Sequence, residues 1–493
     1  MLMVALRILS GCAAGQAPSA PSSSPPTVPA AFRESTDPVD SRWTDIAATD
    51  MPPSGAWWSA FGDPTLDALV ERAGRTNHDI HVAAARLTQA RAALQAARAA
   101  HAPQAALAGG ASRQRGAAVD RTRGTGDRFD LGVGASYEID LAGRLTRDDD
   151  AAQADVTTRA ELLRQSSLAV QTEVARVYFA LRALDAERSL VRETFRSYQA
   201  SLKLQERRRD AGSIAELELE RMRTEASSVR ADAISLDRRR AELDHALAGL
   251  IGATPSAFTL GEAHWQPTLP AIPPGIPSRL LSRRPDVVAA RSSVAAAQAR
   301  AGAARTAWFP NLALTAFDGV ASPDLGDLLR LSARVWGLGA LLSLPLFDGG
   351  KREAAVGAAD GELAAALASY HARILVSFRE VEDNLSALRL LALQDSAQRS
   401  AIASASRATE LSARRYRNGS GAQLDLLDAQ RVELRLRRLS LQVTADRHEA
   451  TVGLIKALGG SWDTPQHARA RTVGRRVTGE RSDWPRGGPG HPT

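Results

Sequence analysis

The chain is built twice over. Asp79 opens DIHVAAARLTQARAAL and Pro103 stands beyond it in HAPQ, while Asp286 opens DVVAARSSVAAAQARA and Pro310 stands in WFPN. The differences 286 − 79 and 310 − 103 both equal 207. The register then runs on without a gap: Gly143-Arg144 falls on Gly350-Lys351, Gly212-Ser213 on Gly419-Ser420, Leu217 on Leu424 and Gly252 on Gly459. An alanine-rich background produces local matches, but not a set of landmarks held at one offset across a whole unit. The expected organisation is a leader over 1–11, a tether over 12–56, repeat 1 over 57–255, a linker over 256–276, repeat 2 over 277–462 and a basic tail over 463–493, rich in Gly and Pro and expected to be disordered.

Within one unit the hydrophobic period changes. Each copy begins with a helix ended by proline, which lacks a backbone donor and biases its predecessor to extended structure. Phe129, Leu131, Val133, Ala135, Tyr137, Ile139 and Leu141 then alternate with Asp130, Gly132, Gly134, Ser136, Glu138 and Asp140, a period of two. The second copy repeats this with Trp336, Leu338, Ala340, Leu342, Leu344 and Leu346. Shorter strands are expected before each, around Ala105/Leu107 and Leu312/Leu314. A greasy outer face over a polar inner one fits a membrane barrel and equally a half-buried sheet in water.

After the strands the period becomes helical. Val170, Val174, Val177, Leu181 and Leu184 follow four-three spacing, as do Leu219, Met222, Ala226, Val229 and Leu236 beyond Gly212. No Gly or Pro occurs from Arg144 to Ala211, so one helix of about 100 Å fits there at 1.5 Å per residue. Glycine then permits a sharp reversal. Each unit is strand, strand, long helix, turn, long helix. Four strands cannot close a barrel, so several chains must share one. The fold expected is a mixed α/β membrane protein: a long antiparallel coiled-coil tunnel plus a transmembrane β-barrel, from two tandem repeats.

Composition excludes several functions. No window carries the ~20 consecutive apolar residues of a transmembrane helix. The net charge of +7 comes with Arg and Lys interleaved with Asp and Glu, the pattern of a solvated helical surface, so no nucleic-acid partner is expected. His78 and His81 have no further His or Cys near them to complete a metal site. There is no nucleophile elbow, phosphate-binding glycine loop or HExxH, so no catalysis and no cofactor are expected. Trp57, Trp58 and Phe61 read as a packing cluster.

The single cysteine, Cys12, ends LSGC and precedes AAGQAPSAPSSSPPTVPAA, a Pro/Ser/Ala stretch that acts as a semi-extended spacer. LSGC resembles the lipobox at which bacterial lipoproteins are cleaved and acylated; the other reading is a stray thiol in a frayed terminus. The leader ahead of it is short and broken by Arg7. With Ala13 next, resemblance to lipoproteins implies sorting to the outer membrane.

WWSAFGDPTLDALV at 57–70, PSRLLSRRPDVVAAR at 277–291, LPLFDGGKR at 344–352 and RYRNGSGAQLDLLDAQ at 415–430 resemble the TolC-type outer-membrane efflux channels, in their NodT-like lipoprotein branch. The resemblance implies a homotrimer sharing a 12-stranded barrel and a periplasmic helical tunnel. It implies a passive exit duct, served by an inner-membrane pump and a periplasmic adaptor. It places Tyr416, Asp425 and Asp428 at the periplasmic gate, with Glu218 as the first-repeat match of Asp425 and Arg221 as that of Asp428. The adaptor-contact tips are then Gly212-Ser213 and Gly419-Ser420. Asp425 and Asp428 lie three apart on one helical face, so threefold symmetry would gather six carboxylates about the axis. Gly421 stands where a family representative has a latch arginine. A coiled-coil scaffold of the cell envelope is the alternative from another class.

Overall fold

A computed structural model describes residues 27–35, 55–115, 125–263, 265, 267–272 and 277–461. Cys12, most of the tether, and the tail lie outside the described residues. The elements run α1 (Pro64–Thr76), α2 (His78–Ala99), β1 (Gln104–Arg115), β2 (Thr125–Ile139), α3 (Arg144–Asp210), α4 (Glu216–Leu250), α5 (Pro277–Arg283), α6 (Pro285–Thr306), β3 (Asn311–Ser322), β4 (Arg334–Ser343), α7 (Lys351–Arg417) and α8 (Gln423–Ala457). The order β1, β2, α3, α4 returns as β3, β4, α7, α8. The long helices match in length, 67 residues for α3 and α7 and 35 for α4 and α8.

Two compact units cut across the repeats: 81–165 with 285–376, and 28–80 with 166–284 and 377 onward. The first holds the sheet, antiparallel in the order β1-β2-β3-β4. Its register puts Leu131 opposite Val320, Tyr137 opposite Leu314, and Leu338 opposite Ala316, so apolar residues share one face. The other face carries glycines and polar groups, with Gly132 opposite Gly319 and Ser136 opposite Thr315, together with Phe317, Val335 and Leu341. Gly132 is needed there, since a Cβ on it would lie 2.5 Å from the Phe317 ring. The apolar face is bare: Leu338 is 79% and Trp336 71% exposed. Within the same unit Asp140 caps α3 by accepting from the backbone of Leu145 and Thr146, and Asp348 accepts from the backbone of Arg352 at the start of α7.

The strands depart from the sequence expectation at their ends. β1 is a full 12-residue strand. β2 begins at Thr125 because it pairs with β1 out to Arg115, where Arg113 and Asp127 approach to 3.6 Å. β4 stops at Ser343 although the apolar alternation runs on through Leu344 and Leu346; Pro345 between them offers no N–H to the ladder.

In the second unit, Trp57 and Phe61 are buried as expected. Phe61 packs on Phe179 (4.8 Å between ring centroids), which packs on His448 (4.7 Å). His448 is fully buried, with Nδ1 2.8 Å from the Thr444 carbonyl, and burial holds its pKa below the usual imidazole range. The described end of the tether is packed against α7: Phe32 is buried, and the backbone N–H groups of Arg33 and Glu34 donate to the Glu382 carboxylate at 2.7 and 3.1 Å. The linker between repeats is clamped too. Arg182 donates to the Gly261 carbonyl at 2.7 Å, Asp244 accepts from the Leu260 N–H at 2.8 Å, and Arg188 bridges to Glu262 at 2.7 Å.

Candidate functional site

All the predicted tip and gate residues lie in the second unit, at the turns joining α3 to α4 and α7 to α8. The last turn of α3 carries Arg207, Arg208 and Arg209, and that of α7 carries Arg414, Arg415 and Arg417. Cations there complement the partial negative charge of a helix C-terminus. Gly212 (φ 69°) and Gly419 (φ 73°) then leave each helix in the left-handed conformation. Ser213 N–H reaches back to the Arg208 carbonyl at 2.8 Å and Ser420 N–H to that of Arg415 at 2.9 Å, the same capped ending twice. Both tips are exposed.

Gly421 has its own reason. A Cβ there would meet Arg415 Cβ at 3.0 Å and the Tyr416 backbone nitrogen at 3.3 Å. A side chain here, such as the arginine that the resemblance leads one to look for, requires Arg415 to give by a few tenths of an ångström.

Tyr416 ties one tip to the other. Its hydroxyl accepts from Gln205 Nε2 at 2.7 Å and from Arg208 Nη1 at 3.2 Å, both on α3. Asp425 and Asp428 are exposed on one face of α8, and Asp425 forms no hydrogen bond or ion pair among the described residues. Asp428 meets Arg431 at 3.0 Å. Glu218 is half-buried in the first turn of α4, and no hydrogen bond joins it to either aspartate among the described residues.

Sequence reasoning missed Arg431 and Glu225. Arg431 Nη2 also donates to Glu225, a carboxylate on α4 whose side chain is only 10% exposed, so one guanidinium joins the second hairpin to the first. The Glu225 carboxylate holds the Arg431 pKa well above the ordinary arginine value. Tyr198 is buried close by with its hydroxyl unpartnered, and burial pushes it up to about 12. The spacing of Asp428 and Arg431 was visible in the sequence, but Glu225 is 206 positions away and nothing local announces it. Among the described residues no cluster of His, Cys, Asp and Glu is placed to hold a metal ion.

The arrangement is a pair of exposed carboxylates per chain at the end of a helical hairpin, held by a hydroxyl and a guanidinium that cross to the other hairpin. Multiplied about an axis, such carboxylates concentrate negative potential and attract cations.

Comparison with known proteins brings in independent findings. The sequence profile described as "Outer membrane efflux protein" matches twice, over residues 69–253 and 276–460. The solvent efflux pump outer membrane protein SrpC of Pseudomonas putida is 33% identical over 413 residues, covering 83% of this chain and 87% of that one. The cation efflux system protein CusC of Escherichia coli is 30% identical over 420 residues, covering 85% and 90%. The open state of the Neisseria gonorrhoeae MtrE outer membrane channel superposes with a TM-score of 0.75 at 28% identity, covering 89% of this chain and 97% of that one.

Proposed function

The chain belongs to the outer membrane efflux protein family, and on that premise we propose that it is the outer-membrane channel of a tripartite efflux system. It is a non-catalytic duct, through which an inner-membrane pump expels small molecules by way of a periplasmic adaptor. The observation that carries this reading is the sheet. Its four strands leave β1 and β4 unpaired at the edges, and one face presents Leu107, Val133, Trp336 and Leu338 with nothing over them. Such edges and such a face are stable when other copies pair the edges and lipid covers the face. A coiled-coil scaffold standing in water would have no use for it.

The finer assignments follow from the same reading. Three copies supply twelve strands to one barrel, and the Gly212-Ser213 and Gly419-Ser420 tips meet the adaptor. Asp425 and Asp428, with Glu218 as the first-repeat partner and Tyr416 as a tie, form the periplasmic entrance. Cys12 carries a lipid, which places the chain in the NodT-like lipoprotein branch, anchored to the outer membrane as well as embedded in it. The cargo is set by the pump: relatives at 33% and 30% identity are named for solvent and for cation efflux respectively.

Single-channel conductance in planar bilayers, combined with outer-membrane fractionation, tests the duct; a soluble, non-conducting product refutes it. Divalent cations in the periplasmic-side bath are expected to block the channel, and Asp425→Ala with Asp428→Ala to weaken that block. Unchanged block in the double variant removes these residues from the entrance.

A further inference from the structure

The apolar face of the sheet carries charge only toward the end away from α3 and α7. Among the described residues it is uncharged from Ile139, Leu312 and Leu342 out to Ala135, Ala316 and Leu338. In the next two rows Asp318 stands between Val133 and Trp336, and Arg334 stands beside Val320. Both side chains are open, 63% and 62% exposed, on the face assigned above to lipid. Nε and Nη2 of Arg334 donate to a single oxygen of Asp318, each at 3.3 Å. Charge-assisted pairs close to about 2.7–2.9 Å. This pair is looser, and it leaves Nη1 and the second carboxylate oxygen unused. The first hairpin does the same with the charges exchanged. Arg113 on β1 lies opposite Asp127 on β2 at 3.6 Å, on the face that Phe129 and Leu131 share. Asp127 is the residue 207 positions before Arg334. Equivalent positions on tandem strands of one barrel share a height, so the two pairs mark one level.

The spacing gives that level a depth. Leu342 and Arg334 are eight residues apart, about 20 Å of height at ~3.3 Å per residue and a strand tilt of about 40°. Exposed Leu344, Trp308 and Phe309 lie just beyond the inner end. The apolar band of an outer-membrane barrel is about 25 Å tall. Asp318 and Arg334 therefore stand at its rim, where charge on the lipid face is tolerated, and Trp336 stands beside them where an interfacial aromatic belongs.

We propose that these two pairs, Arg334 with Asp318 and Arg113 with Asp127, are headgroup sites for the phosphorylated glycolipid of the outer leaflet: the guanidinium takes a phosphate and the carboxylate takes the divalent cation that accompanies it. The assignment rests on the duct reading, which sets this end of the sheet outermost because α3 and α7 leave from the other end. A guanidinium with N–H groups to spare matches two phosphate oxygens at once. A hard divalent cation is held by carboxylate and phosphate oxygens together. An anion alone would be repelled by Asp318 and a metal ion alone by Arg334, whereas a phosphate with its cation suits both. Inward of the pair, Trp336 and Leu338 are 71% and 79% exposed, where the acyl chains of such a lipid hang.

The full-length protein, purified in detergent and freed of lipid, is titrated with diphosphoryl lipid A and magnesium, and bound lipid is counted by native mass spectrometry. Arg113→Ala with Arg334→Ala is expected to weaken lipid A binding about tenfold, and lysine at both positions, a charge without the fork, about threefold. Asp127→Asn with Asp318→Asn is expected to remove the gain that magnesium gives over EDTA in wild type. Arg128→Ala is the control: it lies on the other face of the sheet, 3.6 Å from Asp130, and is expected to stay within about twofold of wild type. Unchanged binding in the double alanine variant overturns the proposal, and so does an equal loss in Arg128→Ala. Phosphatidylglycerol that binds as tightly as lipid A, and is lost in the same variant, overturns the glycolipid as occupant. A wild type that holds lipid A through these arginines but gives no conductance refutes the duct and leaves the sites standing. A conducting wild type whose double alanine variant binds lipid A equally well refutes the sites alone.

Discussion

Replacing Arg431 by alanine isolates the ion pair with Glu225 that joins the two hairpins. The change leaves the Glu225 carboxylate, whose side chain is 10% exposed, facing the Tyr198 hydroxyl and apolar neighbours with no cation. Breaking a fully buried pair from one side costs about 3–5 kcal/mol, and losing an exposed pair costs about 0.2–1 kcal/mol. Arg431 is itself 49% exposed, so water reaches one side of the pair and the cost falls between those limits, at about 2 kcal/mol. That is about a thirtyfold change in a local opening equilibrium. Glu225→Gln is gentler, because the amide keeps an acceptor in place and Arg431 still has Asp428 at 3.0 Å; about 0.5–1 kcal/mol is expected. Arg431→Met with Glu225→Met removes both charges at similar volume and returns close to wild type. Native-state hydrogen exchange on the assembled protein in micelles reads all three, at the amides of α4 around residues 222–229. If Arg431→Ala lowers protection there by less than about twofold, or no more than Glu225→Gln does, the buried carboxylate is not held by this arginine and the reasoning fails.

Other perturbations bear on other parts of the molecule. His448 has its pKa depressed by burial, so its contribution is present above the unfolded value of 6.5 and is lost as pH falls below it. Thermal unfolding between pH 7.5 and 5 is expected to weaken by up to about 1.4 kcal/mol per pH unit, a slope that His448→Gln removes; an unchanged slope excludes this residue. Gly421→Arg forces Cβ against Arg415 Cβ at 3.0 Å, so Arg415 must give by a few tenths of an ångström and the Tyr416–Gln205 bond weaken. Faster exchange at the amides of 415–421 with unchanged exchange in the barrel is the expected signature. Gly132→Val drives a side chain into the Phe317 ring and is expected to cut the yield of assembled outer-membrane protein; normal yield would mean that ring is free to move. Mass spectrometry of protein recovered from membranes is expected to find an acylated Cys12 at the N-terminus, and an unmodified thiol there would refute the lipoprotein assignment alone.

How much of this was legible in the sequence depends on the range of the interaction. The long helices were readable because nothing between Arg144 and Ala211 can break one, and the tips because Gly212 and Gly419 fall at matched positions where a helix must reverse. The strands were readable by period but not by length. β1 and β2 extend outward because each supplies the other's ladder, and β4 ends early because Pro345 cannot donate, whatever the hydrophobic pattern does beyond it. Asp425 and Asp428 were visible as a pair; their environment was not. Arg431 finds Glu225 across 206 residues, and only a folded chain brings them together.

The repeat also explains why the compact units ignore the repeat boundary. Each copy contributes two strands to one unit and most of a long helical hairpin to the other, so neither unit is a copy and neither copy is a unit. A sheet built this way is indifferent to which copy a strand comes from, since β2 pairs β3 as it pairs β1, in an antiparallel ladder with apolar residues on the same face. The hairpins are where the copies have diverged: Glu187, Glu225 and Asp232 on one side, Gln394, Val432 and Leu439 on the other. The charged contacts seen between the hairpins, Arg431 with Glu225 and Arg438 with Glu187 and Asp232, therefore belong to one packing of the two copies and have no charged equivalent 207 residues away.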